Sequence, residues 1–263
     1  MNLNSTSSHR GEGALREQLA AFFLTQPPLS QQTEKQKTLY LKNLRLLGEL
    51  ERQEFLQSAG GGRPLVWGNP APLMQSFLCA AQQLAAKLGQ PLLLFPAKGA
   101  AIGTDTLFHP RLLTVALADL LCHACLAAPR QPVWVRLQEQ FSGLVVTVTA
   151  TAPISFHDPA PLIKECTRLH KGSLVHQDTT ILFSCGQTDR PPAGTRLYCC
   201  PTEEELLQDS LSPVWSGFYA GLYHHPAYSS EVGASTNSTF SSSSLGNSNS
   251  LAEDSSKFGV SSG

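Results

Sequence analysis

Residues 112–151 limit what this chain can fold into more than any other stretch: LLTVALADLLCHACLAAPRQPVWVRLQEQFSGLVVTVTAT. Leu113, Leu117, Leu120, Leu121 and Ala124 recur mostly at three- and four-residue steps, which lines one apolar face of a helix. Pro129 stops that helix, because its ring forbids a continued helical turn. Val133, Val135 and Leu137 then share one face of a strand, with Trp134 and Arg136 on the other. Residues 144–151 keep the same two-residue period around Val146 and Val148. Phe141-Ser142-Gly143 lies between the two runs, which predicts a hairpin with a slightly long loop. One helix packed on an antiparallel ribbon, and leading directly into it, is the unit implied.

The flanking chain supplies more elements of both kinds. Residues 1–13 are polar and read as a flexible N-terminus. Residues 14–24 predict a short helix, ending before Gln26-Pro27-Pro28, and a longer one starts at Thr33. Its apolar stripe runs through Tyr40, Leu44, Leu47 and Leu50 or Phe55, its other face is charged, and the glycines at 60–62 end it. Such a hairpin needs cover for its stripe, either a second copy or the domain that follows. Leu65-Val66-Trp67 comes next, and 71–88 forms a helix with Phe77, Ala80, Ala81, Leu84 and Leu88 on one face. Gly89 is placed to end that helix in a left-handed turn. Residues 92–95 read as a buried strand between Pro91 and Pro96. After the organising stretch come a helix at 162–170, strands at 179–185 and 195–200, and a short helix capped by Thr202. Residues 211–215 and 218–222 read as an apolar segment added at the end. From about Ser229 the chain is Ser, Asn and Gly, too poor in apolar groups to offset its ordering entropy, and is expected to be disordered.

Composition narrows the classes of function. A formal net charge of −1 argues against general attraction to nucleic acid or to anionic membranes. No run approaches the roughly 20 apolar residues that cross a bilayer, and the first 13 residues have no apolar core of the secretory kind. Seven scattered cysteines read as reduced thiols. A cytoplasmic protein is expected.

The frame Asp119-Leu120-Leu121-Cys122-His123-Ala124 resembles the N-L-L-x-N-A pattern on the long helix of the histidine-kinase-type (GHKL) ATPase family, with both asparagines replaced. The order of helix, glycine, short strand and long helix through residues 71–124 is similar to the way that family begins its sandwich. His170-Lys171-Gly172-Ser173-Leu174 resembles its H-G-G turn into a strand. The family's Asp-x-Gly-x-Gly turn, whose aspartate accepts the adenine amino group, would fall on residues 150–154. These read Ala150-Thr151-Ala152-Pro153-Ile154, with no carboxylate and no glycine. Its glycine-rich phosphate lid is replaced by Phe156-His157-Asp158-Pro159-Ala160-Pro161, which cannot offer a row of free backbone N–H groups. The phosphoacceptor histidine of a sensor kinase sits in H-E-x-x-x-P; here His9 is followed by Arg10-Gly11-Glu12-Gly13 and reads as a tail residue.

Asp119 and His123 are the candidate cofactor-binding residues, as the counterparts of the family's two asparagines. Histidine is a poor magnesium ligand, since that hard ion prefers oxygen, and a pocket-lining histidine competes with a functional one at position 123. Cys122 and Cys125 suggest zinc only superficially, because a tetrahedral site needs further ligands, and no metal is expected. P-loop, Gly-x-Gly-x-x-Gly, Gly-x-Ser-x-Gly and His-Glu-x-x-His motifs do not occur.

The expected fold is α+β: a two-layer α/β sandwich of the histidine-kinase-like ATPase type, preceded by an antiparallel helical hairpin. The expected boundaries are a flexible segment at 1–13, a dimerisation-like hairpin at 14–62, the sandwich at 63–228 and the tail at 229–263. The resemblance implies a degenerate sensor-kinase-like signalling protein in a two-component system, a pseudokinase that acts as an interaction or dimerisation scaffold. A homodimer through the hairpin and a response regulator are the partners it suggests. A divergent, active protein histidine kinase using ATP and magnesium is the alternative.

Overall fold

The molecule is described from a computed structural model, over residues 15–57 (apart from 16, 20 and 24), 64–95, 105–140, 143–155, 161–186 and 195–229. His9, the proline-rich 156–160 segment and the serine-rich 231–263 tail lie outside the described residues.

Helix starts follow local chemistry. Asn69 caps α2 (Pro70–Lys87), its side chain accepting the Ala71 N–H at 2.8 Å, with proline at the first helical position. Gly89 follows with φ +68°, the left-handed residue expected there. His109 caps α3 (Pro110–Ala127): its Nδ1 accepts the Leu112 N–H at 3.1 Å, again ahead of a proline. Thr202 and Glu205 form a reciprocal capping box on α5 (Glu203–Gln208). The remaining α-helices are α1 (Glu34–Gln57), α4 (Pro161–Leu169), α6 (Ala220–Tyr223) and α7 (Pro226–Ser229), with helical positions also between 15 and 25.

Five strands form the main sheet: β2 (Leu92–Phe95), β4 (Val133–Gln140), β5 (Gly143–Thr149), β6 (Leu174–Gln177) and β7 (Thr180–Cys185), in the order β2-β4-β5-β7-β6. Only β2 and β4 run parallel. A smaller sheet joins β3 (Thr106–Phe108), β1 (Val66–Gly68) and β8 (Arg196–Leu197). On one face of the main sheet, Val133, Val135, Leu137, Val146, Val148, Ile181 and Phe183 are buried, and α2, α3 and α4 pack on that side. This is a two-layer α/β sandwich preceded by helices, as expected.

Several details depart from expectation. Gln140 pairs with Gly143, so Gly143, expected in the loop, belongs to the strand pairing instead. Strand β2 is an edge strand: Leu92 is buried, but Leu93 and Phe95, on the sheet's far face, are 42% and 43% exposed. Strand β3 had no sequence signal, and β8 has two residues where a six-residue strand was expected. Helix α3 is buried on nearly every side rather than along one stripe, since Leu112 through Ala118 are all buried. By length and composition alone it could cross a membrane, with a mean hydropathy of 1.4 over 18 residues; 61% of it is buried inside this fold.

The apolar segment near the end of the described chain is no appendage. Residues Val214–Tyr219 form a π-helix that continues into α6 and lies against both α1 and α3. The stripe of α1 through Tyr40, Leu44 and Leu47 is buried, and α1 packs on the π-helix and α6 of its own chain. Leu39 and Leu46, on another face of α1, stay exposed at 52% and 42%. Glu51 is buried and accepts two bonds from Arg111, whose Nη2 also reaches the Leu211 carbonyl at 2.9 Å, so α1, α3 and the C-terminal segment meet at one guanidinium.

Candidate functional site

The two sides of α3 have different neighbours. Of the stripe read from the sequence, Leu113, Leu117, Leu120 and Ala124 lie on the side away from the roof. Val115, Asp119, Cys122 and Leu126 lie on the roofed side and line a cavity of about 390 Å³ beneath α1, the π-helix and the C-terminal turns. Glycines allow the roof its close approach. A Cβ on Gly48 would meet the Ser216 carbonyl oxygen at 2.7 Å, and one on Gly217 would meet the Ala118 Cβ at 2.9 Å. The Gly221 position lies just as close to the Cys122 sulfur, at 3.0 Å, so the segment runs along α3 in step with Ala118 and Cys122. π-Helical turns are rare and concentrate at functional sites, and this one forms a wall of the cavity.

Asp119 and His123, singled out from the sequence, both line this cavity, one helical turn apart, with His123 Nε2 3.6 Å from Asp119 Oδ1. Arg52 of α1 reaches the same oxygen, its Nε also at 3.6 Å, while its Nη1 lies 3.7 Å from Glu49. Those separations exceed the roughly 2.7–2.9 Å of a charge-assisted hydrogen bond. The Asp119 side chain is only 14% exposed, and its Oδ2 has no hydrogen-bond partner. Arg52 Nε and His224 Nε2 are likewise buried without one. Arg45, one turn before Glu49, lines the cavity with no ion pair among the described residues. Burial holds the His224 imidazole below its usual range, opposed by a hydrogen bond to the Leu41 carbonyl and helped by the charges of Arg45 and Lys42. Burial, and then Asp119, push the Cys122 thiol up to about 12, so it is not a ready nucleophile.

Among the described residues no three His, Cys, Asp or Glu side chains group as ligands. Cys125 is fully buried, and its carbonyl takes a 3.0 Å bond from the Tyr228 hydroxyl. A second Cys–His pair is also inert. His170 Nδ1 lies 2.7 Å from the Cys166 carbonyl and 3.3 Å from its sulfur, while Nε2 accepts the His109 N–H at 2.9 Å. With both nitrogens occupied and burial lowering its pKa to about 4, His170 is a neutral brace between α4 and the cap of α3.

Arg45, Arg52, His224 and His225 went unremarked in the sequence. Arg45, Glu49 and Arg52 follow at helical spacing but belong to what reads as a solvated charged face. Nothing local marks His224-His225 as more than the end of an apolar segment.

No family model and no curated protein matches this chain. Solved structures do match. The ATP-binding domain of PrrB from Mycobacterium tuberculosis is 12% identical over 48% of this chain and 100% of its own, with a TM-score of 0.40. The histidine kinase AdeS of Acinetobacter baumannii is 12% identical over 69% of this chain and 98% of its own, at 0.44. The cytoplasmic segment of the histidine kinase QseC is 15% identical over 57% of this chain and 94% of its own, at 0.42. At such identities and TM-scores the likeness decides nothing about this chain's chemistry. The chemistry has to be read from residues 45–52, 115–126 and 214–226 themselves.

Proposed function

We propose that this chain is a non-catalytic, histidine-kinase-like signalling protein whose sandwich serves as an interaction scaffold in the cytoplasm. The observation that carries this reading is the roof over Asp119 and His123. The α3 face with the counterparts of the family's asparagines is faced by α1 and the π-helix, which approach so closely at Ala118 and Cys122 that only a small cavity, about 390 Å³, is left at Asp119 and His123. The frame where an adenine-reading turn would lie supports it as well. Ala150 donates its N–H to the Thr179 carbonyl and Ile154 donates to Asp178, at 2.9 and 2.8 Å, and both side chains are buried. That backbone is committed to the fold and carries no carboxylate.

Such a scaffold acts through a protein. A response regulator is one partner the reading suggests. A second copy is the other, meeting at the face of α1 that carries Leu39 and Leu46, since the main stripe is already used within the chain. Calorimetric titration with magnesium and ATP tests the central claim. No saturable heat is expected at millimolar nucleotide. Saturable binding that disappears in His123→Ala would instead establish the divergent kinase and make a phosphotransfer assay the next step.

A further inference from the structure

Helix α1 carries two stripes. One, Tyr40, Leu44, Leu47 and Glu51, is buried within the chain. On the far side of the helix, Lys35, Leu39, Lys42, Leu46, Glu49 and Gln53 follow at alternating steps of four and three residues, the spacing of a coiled-coil seam. All six are exposed, the two leucines at 52% and 42%. The charges along this outer stripe are sorted: Lys35 and Lys42 lie in the N-terminal half, Glu49 and the neighbouring exposed Glu54 in the C-terminal half. Other charges of α1 are turned inward or engaged on the same helix. Glu51 meets Arg111, Arg52 meets Asp119, Arg45 lines the cavity, and Glu34 pairs with Lys37 at 2.7 Å. Arg52 approaches Glu49 only to 3.7 Å, and the Glu49 side chain stays half exposed.

We infer that the outer stripe of α1 pairs antiparallel with the same stripe of a second copy, forming a two-fold dimer. A two-fold interface has to be complementary to itself, so that where one residue meets another the reverse contact also occurs. Sorted charge meets that demand in one orientation only. Laid parallel, the copies would set Lys35 and Lys42 on their own counterparts and Glu49 and Glu54 on theirs, like on like. Laid antiparallel, with the axis beside Leu46 near the middle of the helix, Leu46 packs on its counterpart. Lys42 then faces Glu49 of the second copy, and Lys35 approaches its Glu54. Other occupants match less well, because a surface of one charge, an anionic membrane included, would repel half of the stripe. The stripe runs most of a helix of 24 residues, about 36 Å long, and offers two leucines per copy, which fits a small and reversible interface.

This inference rests on the scaffold reading, in which a second copy is one partner, and the experiment separates the two. Sedimentation equilibrium of the full chain across the micromolar range should show a reversible dimer. The dimer should weaken between about 0.1 and 1 M salt, as the screening length falls from roughly 10 to 3 Å. Leu46→Gln should weaken it about tenfold. Lys42→Glu turns both symmetric contacts with Glu49 repulsive and should weaken it by about the same factor, and Glu49→Lys in the same chain should restore it. Carbodiimide coupling of the unaltered chain should give a covalent dimer linked between Lys42 and Glu49, which keeps the test decisive if a variant fails to fold. A monomer throughout, a dimer indifferent to Leu46→Gln, or a dimer indifferent to Lys42→Glu, as a parallel pair would be, would each overturn the inference. A dimer that also binds magnesium-ATP saturably overturns the scaffold reading alone, and a monomer that binds no nucleotide overturns this inference alone.

Discussion

The sheet-facing side of α3 and its roofed side are built on different physical terms. Between helix and sheet, Leu113, Leu117 and Leu120 join Val146, Val148 and Phe183 in a continuous apolar core, where each contact is weak and non-directional and many residues contribute. On the roofed side, Gly48, Gly217 and Gly221 set the distance, Arg111 ties three segments through Glu51 and Leu211, and loosely paired charged groups surround a cavity. The first interface tolerates substitutions that keep volume and apolarity. The second depends on a few atoms, and a single methylene in the wrong place displaces it. One helix thus carries a redundant interface and a specific one, and the polar site sits at the specific one.

The comparison can be tested by perturbing each side. Truncating the core is expected to cost most: Phe183 is 1% exposed at the centre of the sheet, and Phe183→Ala should lower stability by about 3–5 kcal/mol, read from the urea midpoint. Acid is expected to act next, at the brace between α4 and the α3 cap. The folded pKa of His170, about 4, lies below the ordinary 6.5, so the unfolded chain binds more protons in that window. The stability is therefore complete above pH 6.5 and lost as pH falls toward 4, a loss of about 3 kcal/mol. Urea titrations across this range should show the slope, and His170→Gln should flatten it. Closing the roof contact should cost least, yet change the site most. Gly48→Ala places a methyl against the Ser216 carbonyl and should cost about 1–3 kcal/mol, with amide exchange speeding up in 214–223 while β4 and β5 stay protected. Equal acceleration in the sheet would show that the two interfaces are one cooperative unit and remove the distinction.

Much of the layout could be read before folding was considered. The periods of two and of roughly 3.6 identified β4, β5, α1, α2 and α3, and Gly89 and Thr202 marked helix ends where the structure has them. Short elements escaped. Three residues at Thr106–Phe108 carry too little pattern to register, and Arg196–Leu197 is a strand only through its pairing with β1. Of the cavity, Asp119 and His123 were legible because a family frame pointed to them. Arg45, Arg52 and His224 were not, for they approach Asp119 from segments far away in the chain.

By itself, then, the sequence determined which residues seek burial and in which local conformation, because those preferences arise within a few residues of each other. Only the tertiary structure decided what covers what. It turned the stripe of α1 inward onto the chain's own C-terminal segment, wrapped α3 on both sides, and left Leu93 and Phe95 of the edge strand exposed. It also placed two arginines, two carboxylates and three histidines around one cavity. Hydrophobic periodicity does not name the surface against which it will pack, and a charged helix face reads as solvated until another element closes over it.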